Sequence, residues 1–105
     1  MYEVTKSDWK LFRERVPEWQ ERYMDRLTKE YIELLGSSKK ASDRFWELEK
    51  RIRTDKKNPG VILEMRRSEM LWNLARMVAQ EVITLDDLDG FSEDLVEAVK
   101  YMCSR

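Results

Sequence analysis

The stretch that decides the fold runs from residue 44 to residue 81: RFWELEKRIRTDKKNPGVILEMRRSEMLWNLARMVAQE. Its apolar residues recur at spacings of three and four, which is the period of an amphipathic α-helix. The pattern breaks at the polar residues 55–60, where Asn58 followed by Pro59 is typical of a helix start. The stretch therefore predicts two helices joined by a short basic connection.

The helix before this connection is predicted to begin at Ser42, a good N-cap residue, with an acidic residue in its first turn. Phe45, Leu48 and Ile52 lie on one face of it and are expected to form its buried stripe. Trp46 falls at the border of that stripe. This helix is expected to pack through its apolar face.

The helix after the connection is predicted to run from Pro59 to about Val82. From Met70 onward it is apolar almost all round, and a helix that is apolar on most sides is usually the central one. We therefore expect this helix to be the core of the domain.

The N-terminal third predicts one long helix that starts after Ser7 as N-cap and ends at Gly36. Pro17 interrupts its hydrogen-bond ladder, so a kink or a break is expected just before it. The apolar register continues through Pro17, which favours a kinked helix over two unrelated ones. The expected stripe is Trp9, Phe12, Val16, Trp19, Tyr23, Leu27, Tyr31 and Leu34.

Two successive caps mark the C-terminal region. Thr84 with Asp87 three residues later resembles a capping box for a short helical turn, which Gly90 would close. Ser92 is then expected to cap a last helix. The predicted fold is all-α, a small helical bundle of three main helices plus a short C-terminal helical tail, and residues 1–105 form a single helical domain.

Composition agrees with this fold and points to a cellular compartment. Of 105 residues, 42% are hydrophobic and 39% are charged, with only three Gly and two Pro to interrupt helices. No apolar run approaches the roughly 18 residues that a transmembrane helix needs, and the first ten residues contain no apolar signal segment. The single cysteine, Cys103, cannot form an internal disulfide. We therefore expect a cytoplasmic protein.

The sequence lacks the residues that most enzyme and metal sites require. It contains no histidine, so Ser–His and Cys–His pairs are impossible and zinc has no ligand set. The acidic run at residues 86–90 does not fit an EF-hand, because Leu85 and Val96 would occupy the first and twelfth positions of the loop. No phosphate-binding glycine motif is present. We expect a protein that is not an enzyme and that has no cofactor and no metal site.

The distribution of charge is the strongest sign of a partner. Residues 37–67 carry ten basic and five acidic side chains, whereas residues 68–105 carry three basic and eight acidic ones. The basic region could bind phosphates, with Trp46 nearby for stacking. It could equally be neutralised by its own acidic residues or by the acidic C-terminal region. A net charge of −1 argues against a dedicated nucleic-acid binder.

The four tryptophans divide between core and surface. Trp9, Trp19 and Trp72 fall on or near apolar stripes and are expected in the core, whereas Trp46 and one of Tyr23 and Tyr31 are expected to be exposed. Three helices cannot bury every apolar residue of the chain. The excess leaves a homodimer open.

Several short patterns resemble a small family of helical proteins that are carried on prophages and conjugative elements of Firmicutes. The patterns are Trp19-Gln20, Tyr23-Met24, Glu30-Tyr31-Ile32, Phe45-Trp46, residues 55–61 and residues 83–88. The resemblance implies a bacterial cytoplasmic accessory protein that disarms a host defence system by binding it. It supplies no catalytic residues.

Together these observations lead to two functional hypotheses. The first is a protein-interaction module, an inhibitor or adaptor of a mobile element that covers the surface of a host defence protein, with no membrane contact. The alternative is a nucleic-acid-binding accessory protein that uses the basic surface of residues 39–67. The candidate contacts are the same for both: Trp46, Arg51, Arg53, Lys56, Lys57, Arg66 and Arg67.

Overall fold

The fold is all-α, as the sequence predicts. The computed structural model describes residues 2–104 and contains four α-helices among them: α1 (Lys6–Leu35), α2 (Ala41–Asp55), α3 (Met70–Ala79) and α4 (Glu93–Cys103). Short 3-10 turns at Arg67–Glu69 and Leu85–Leu88 precede α3 and α4. Within residues 2–104 there is no β-strand.

Helix α1 is the axis of the molecule. Its 30 residues extend over about 45 Å and continue through Pro17 without a break in the helix. The N-cap is Thr5, whose hydroxyl accepts the N–H of Asp8 at 3.1 Å, so the prediction of Ser7 as N-cap is wrong. Gly36 ends the helix as expected, since its N–H bonds to the carbonyl of Ile32 at 3.0 Å.

The core lies along the first two thirds of α1. The predicted stripe is confirmed there, while Trp9, Tyr31 and Leu34 at its ends are only half-buried. The buried apolar residues are Phe12, Val16, Trp19, Tyr23 and Leu27 of α1, Met70, Leu74, Ala75 and Met77 of α3, Leu95 and Val99 of α4, and Val82, Ile83, Leu88 and Phe91 between them. Helices α3 and α4 pack on each other and on this part of α1. We call residues 2–27 together with 59–104 the body.

The predicted helix from Pro59 to Val82 is wrong in its first half. Residues 59–61 form a turn, residues 62–66 are irregular, and the α-helix begins only at Met70. The Asn58 side chain accepts the N–H of Gly60 at 2.8 Å, and the backbone carbonyl of Asn58 accepts the N–H of Val61 at 2.9 Å, so Asn58 closes a turn instead of starting a helix. Gly60 is buried directly against the ring of Tyr23, which holds this turn on α1.

Helix α3 contributes to the core with one face only. Met70, Leu74 and Met77 are fully buried, but Trp72 is 56% exposed. The expectation that Trp72 belongs to the core is therefore wrong, because no other element covers the outer face of α3.

The C-terminal region agrees with its predicted caps. The reciprocal capping box of Thr84 and Asp87 is present, Gly90 has a φ of +95°, and the Ser92 hydroxyl accepts the N–H of Leu95 to cap α4. In the acidic region, Asp87 forms an ion pair with Arg22 of α1 at 2.9 Å.

The other end of α1 and all of α2 project from the body. We call residues 28–57 the arm. No residue of α2 is buried, and the molecule measures 52 × 28 × 22 Å with a radius of gyration of 16.4 Å, compared with roughly 13 Å for a compact domain of this length. The last buried residue of α1 is Leu27, and beyond it α2 makes its main contacts with α1.

Candidate partner-binding surface

The arm is held together by polar contacts on the side that faces the body. Arg51 forms an ion pair with Glu30 at 2.8 Å, and its guanidinium lies 5.4 Å from the ring centre of Tyr31. The hydroxyl of Tyr31 donates a hydrogen bond to Asp55, and burial together with this bond raises the pKa of Tyr31 to about 12. Among the predicted contact residues, Arg51 therefore faces α1 and joins the two helices.

Three further arginines of the predicted site make local contacts. Arg53 pairs with Glu49 on the same helix and Arg66 pairs with Glu64 at 2.6 Å, while the side chain of Arg67 donates to the carbonyl of Val4 at 2.9 Å. All three arginines are exposed, and exposed ion pairs of this kind contribute at most about 1 kcal/mol. Such arginines can exchange their present contacts for those of a partner at little cost.

The structure separates the predicted site into two parts. Arg66 and Arg67 lie outside the arm, next to the start of α3, whereas Trp46 and Arg53 lie on α2. Lys56 and Lys57 follow α2 directly and are exposed. The seven residues therefore lie on different elements and do not all belong to one helix or one turn.

One line along α2 combines an aromatic residue with basic ones. Trp46, Lys50, Arg53 and Lys57 follow one another at spacings of four, three and four, which places them on one side of the helix and its C-terminal turn. All four are exposed. Arg51, which faces α1, lies on a different side of the helix from these four residues. We call these four residues the outer ridge; Lys50 is its one member that sequence reasoning did not select.

The Trp46 end of the ridge is ordered by a neighbouring ring. Phe45 and Trp46 pack edge to face with their ring centres 4.9 Å apart, although each is 62% exposed. Edge-to-face aromatic pairs are stabilised by about 0.5–1.5 kcal/mol beyond simple burial. Two aromatic side chains are thus presented to solvent in a defined geometry.

The apolar stripe predicted for α2 is exposed, which corrects the expectation that it is buried. Phe45 and Ile52 are exposed and Leu48 is half-buried, because α2 packs mainly on α1. The predicted N-cap Ser42 is also wrong, since α2 begins at Ala41 after Lys40. Periodicity identified the apolar face correctly but could not show that it lacks a covering element.

The most buried carboxylate of the molecule serves the fold. The carboxylate of Asp8 accepts hydrogen bonds from the backbone N–H of Ser92 at 3.0 Å, from the hydroxyl of Ser92 at 2.6 Å and from the hydroxyl of Tyr2 at 2.7 Å. It therefore links the N-terminal ends of α1 and α4. Burial by itself raises the pKa of the Asp8 carboxyl, but the hydrogen bonds from Ser92 and Tyr2 outweigh it and lower that pKa. Asp8 therefore remains ionised at neutral pH and is poorly suited to act as a general acid.

A shallow groove of about 1040 Å³ lies beside this carboxylate, between the N-terminal residues and α4. Its walls include Leu71, Met102 and Tyr101, and Glu3, Asp94 and Glu97 contribute acidic side chains. Among residues 2–104, no group of acidic or cysteine side chains is arranged to hold a metal ion, and no helix is both long and apolar enough to cross a membrane.

Comparison of the chain with protein-family models, with curated proteins and with solved structures gives no match. The resemblance to prophage-borne helical proteins therefore stays a prediction.

Proposed function

We propose that the protein is a non-enzymatic protein-interaction module, and that the outer ridge of the arm binds an acidic surface of another protein. The observation that carries this proposal is the arm itself: a helix without a single buried residue that presents a fixed aromatic pair beside Lys50, Arg53 and Lys57. Tryptophan and arginine are the residues most enriched in the energetic centres of protein interfaces. Because no residue of α2 is buried, its side chains are available to a partner.

Charge and resemblance together suggest the kind of partner. The exposed lysines of the ridge favour an acidic surface, and their charge would increase the rate of encounter at low salt. In line with the resemblance to proteins of mobile elements, we propose a bacterial host protein of the cytoplasm, such as a component of a defence system, which the module inhibits or recruits.

The test is capture of partners from a bacterial lysate by the immobilised protein, compared with ridge variants. Trp46→Ala and the double variant Lys50→Glu/Lys57→Glu should each weaken a captured interaction by roughly tenfold or more, as expected for the loss of an interface centre. Lys10→Glu is the matched control, since Lys10 is an equally exposed lysine on the body. A captured protein that the ridge variants retain at full strength would contradict the assignment of the ridge.

Salt titration separates this proposal from the nucleic-acid alternative. A protein that neutralises phosphates loses affinity steeply as salt rises, because binding releases counterions. Binding to DNA or RNA at low salt, abolished by the ridge variants and kept by Lys10→Glu, would favour the alternative. Absence of such binding would exclude it.

A further inference from the structure

A second surface lies along the arm and the adjoining turn of α1, and it is apolar and distinct from the outer ridge. It consists of Met24, Ile32 and Leu35 on α1 and Phe45 and Ile52 on α2, all exposed. Ile32 is 69% exposed and Phe45 is 62% exposed. We call these five residues the apolar flank.

Helix geometry turns all five away from the contact between α1 and α2. The ion pair of Arg51 with Glu30 marks that contact, and Glu30 lies seven residues after Tyr23, in line with the core stripe. Ile32 lies two residues beyond Glu30, and thus roughly 200° round α1. Phe45 lies six residues before Arg51, which turns it roughly 120° from the side that Arg51 occupies.

The flank is large enough for a specific interface. At roughly 150–200 Å² for a large side chain, the exposed fractions of the five residues leave roughly 450 Å² of apolar surface on each copy. Two copies that bury this surface together with the polar side chains around it would exceed the roughly 1,000 Å² of total buried area that distinguishes a specific interface.

The charges at the two edges of the flank are opposite. The hydrogen bond from Arg44 to the Leu35 carbonyl at 2.6 Å and the ion pair of Arg51 with Glu30 set α2 antiparallel to α1, so Arg53 is level with residues 26–28 of α1, within one turn of Asp25. Asp25 lies on the α1 edge and Arg53 on the α2 edge. A two-fold axis parallel to the arm would place α1 of one copy against α2 of the other, and Asp25 would then lie beside Arg53 of the partner subunit.

We propose that the apolar flank is the interface of a homodimer, in which two arms pack side by side as an antiparallel four-helix bundle. In this arrangement every helix has antiparallel neighbours, as in most four-helix bundles. The interface is isologous, because the same apolar centre and the same pair of charged edges occur on both copies. Trp46, Lys50 and Lys57 of both outer ridges stay accessible.

Sedimentation equilibrium of the whole chain over a wide concentration range tests this proposal. The wild-type protein should show a monomer–dimer equilibrium that follows mass action. Ile32→Glu and Phe45→Glu should each weaken the dimer at least 100-fold, because each places a charge in the apolar centre. Ile62→Glu is the matched control: Ile62 is 66% exposed but lies outside the arm, so this variant should dimerise as the wild type does.

The edge charges give a second test that also reports the orientation. Asp25→Arg and Arg53→Asp should each weaken the dimer about tenfold, and the double variant should recover most of the loss. The circular dichroism spectrum of each variant shows whether that variant is folded. A wild-type protein that stays monomeric at all concentrations, or a control variant that dissociates as much as Phe45→Glu, would overturn the proposal.

The dimer and the proposed function can fail separately. A monomeric wild type whose ridge still captures a partner would overturn the dimer alone. A dimer whose ridge variants capture the same proteins as the wild type would leave the dimer standing and contradict the assignment of the ridge.

Discussion

Replacing Gly60 by alanine is the sharpest test of how the connection between α2 and α3 is held on the body. A Cβ atom at residue 60 would lie 2.7 Å from Cγ and 2.9 Å from Cε2 of the Tyr23 ring, distances that van der Waals repulsion does not tolerate. The ring of Tyr23 is buried in the core, where the residue is only 7% exposed. Either the turn at residues 58–61 must lift from α1 or the core around Tyr23 must rearrange.

The expected cost follows from the energetics of overpacking. One extra carbon in a well-packed site destabilises a protein by about 1–3 kcal/mol. For a domain of roughly 100 residues, each kcal/mol lowers the Tm by about 4–8 °C. We expect the Tm of Gly60→Ala to fall by roughly 4–20 °C, measured by circular dichroism on heating.

Gly36→Ala is the internal control for this measurement. A Cβ atom at Gly36 would have its nearest neighbour, the carbonyl oxygen of Ile32, at 3.4 Å, and the φ of Gly36 is −88°. Its effect should stay within about 0.5 kcal/mol, as for most surface substitutions. In a Tyr23→Leu background the cost of Gly60→Ala should shrink, since the two changes share one contact. A Gly60→Ala variant as stable as Gly36→Ala would refute the reasoning.

Three further outcomes test other parts of the structure. The pKa of Asp8 is lowered in the folded protein, so its carboxylate stabilises the fold above the unfolded pKa of about 3.9, and this contribution is lost as the pH falls through the folded pKa. Urea unfolding should therefore show that Asp8→Asn destabilises the protein at pH 7 and reduces the loss of stability on acidification. Asp86→Asn, at an exposed position, should change neither quantity. Equal effects of the two variants would contradict this role of Asp8. Leu74→Ala should lower the free energy of unfolding by about 2–5 kcal/mol because it leaves a cavity in the core. Trp72→Ala, on the exposed face of α3, should lower it clearly less in the same chemical denaturation. A larger loss for Trp72→Ala would mean that this face is covered. Thr84→Ala should lower the stability by about 1 kcal/mol through loss of the capping box, and an unchanged Tm would show that the turn does not depend on it.

Local sequence features predicted the helical segments well where the decisive interactions lie close in the chain. The end of α1 at Gly36, the capping box of Thr84 and the N-cap Ser92 depend on residues a few positions apart, and all three are confirmed. The N-cap of α1 is set by an equally local contact, the Thr5 hydroxyl with the N–H of Asp8, and Ser7 was wrongly preferred because Thr5 and Ser7 are both good N-cap residues. With Thr5 as the cap, Asp8 lies in the first turn of α1 and reaches Ser92, 84 residues away.

The candidate surface was predictable only in part. Trp46 was expected to be exposed because it falls at the border of its stripe, and it is exposed. The role of Arg51 was not apparent, because its partner Glu30 belongs to another helix. Phe45 and Ile52 were expected in the core, since the sequence offers no way to tell an apolar face that is covered from one that is not.

By itself, then, the sequence determined that this chain is helical, where its caps lie and which face of each helix is apolar, because these properties arise from neighbours within one or two turns. The tertiary structure alone decided which of those faces are buried. The core covers α1 fully only as far as Leu27, and residues 59–66, with Gly60 against Tyr23, form a turn and an irregular segment instead of the first half of one long helix. The arm and its exposed faces are the result of that incomplete coverage.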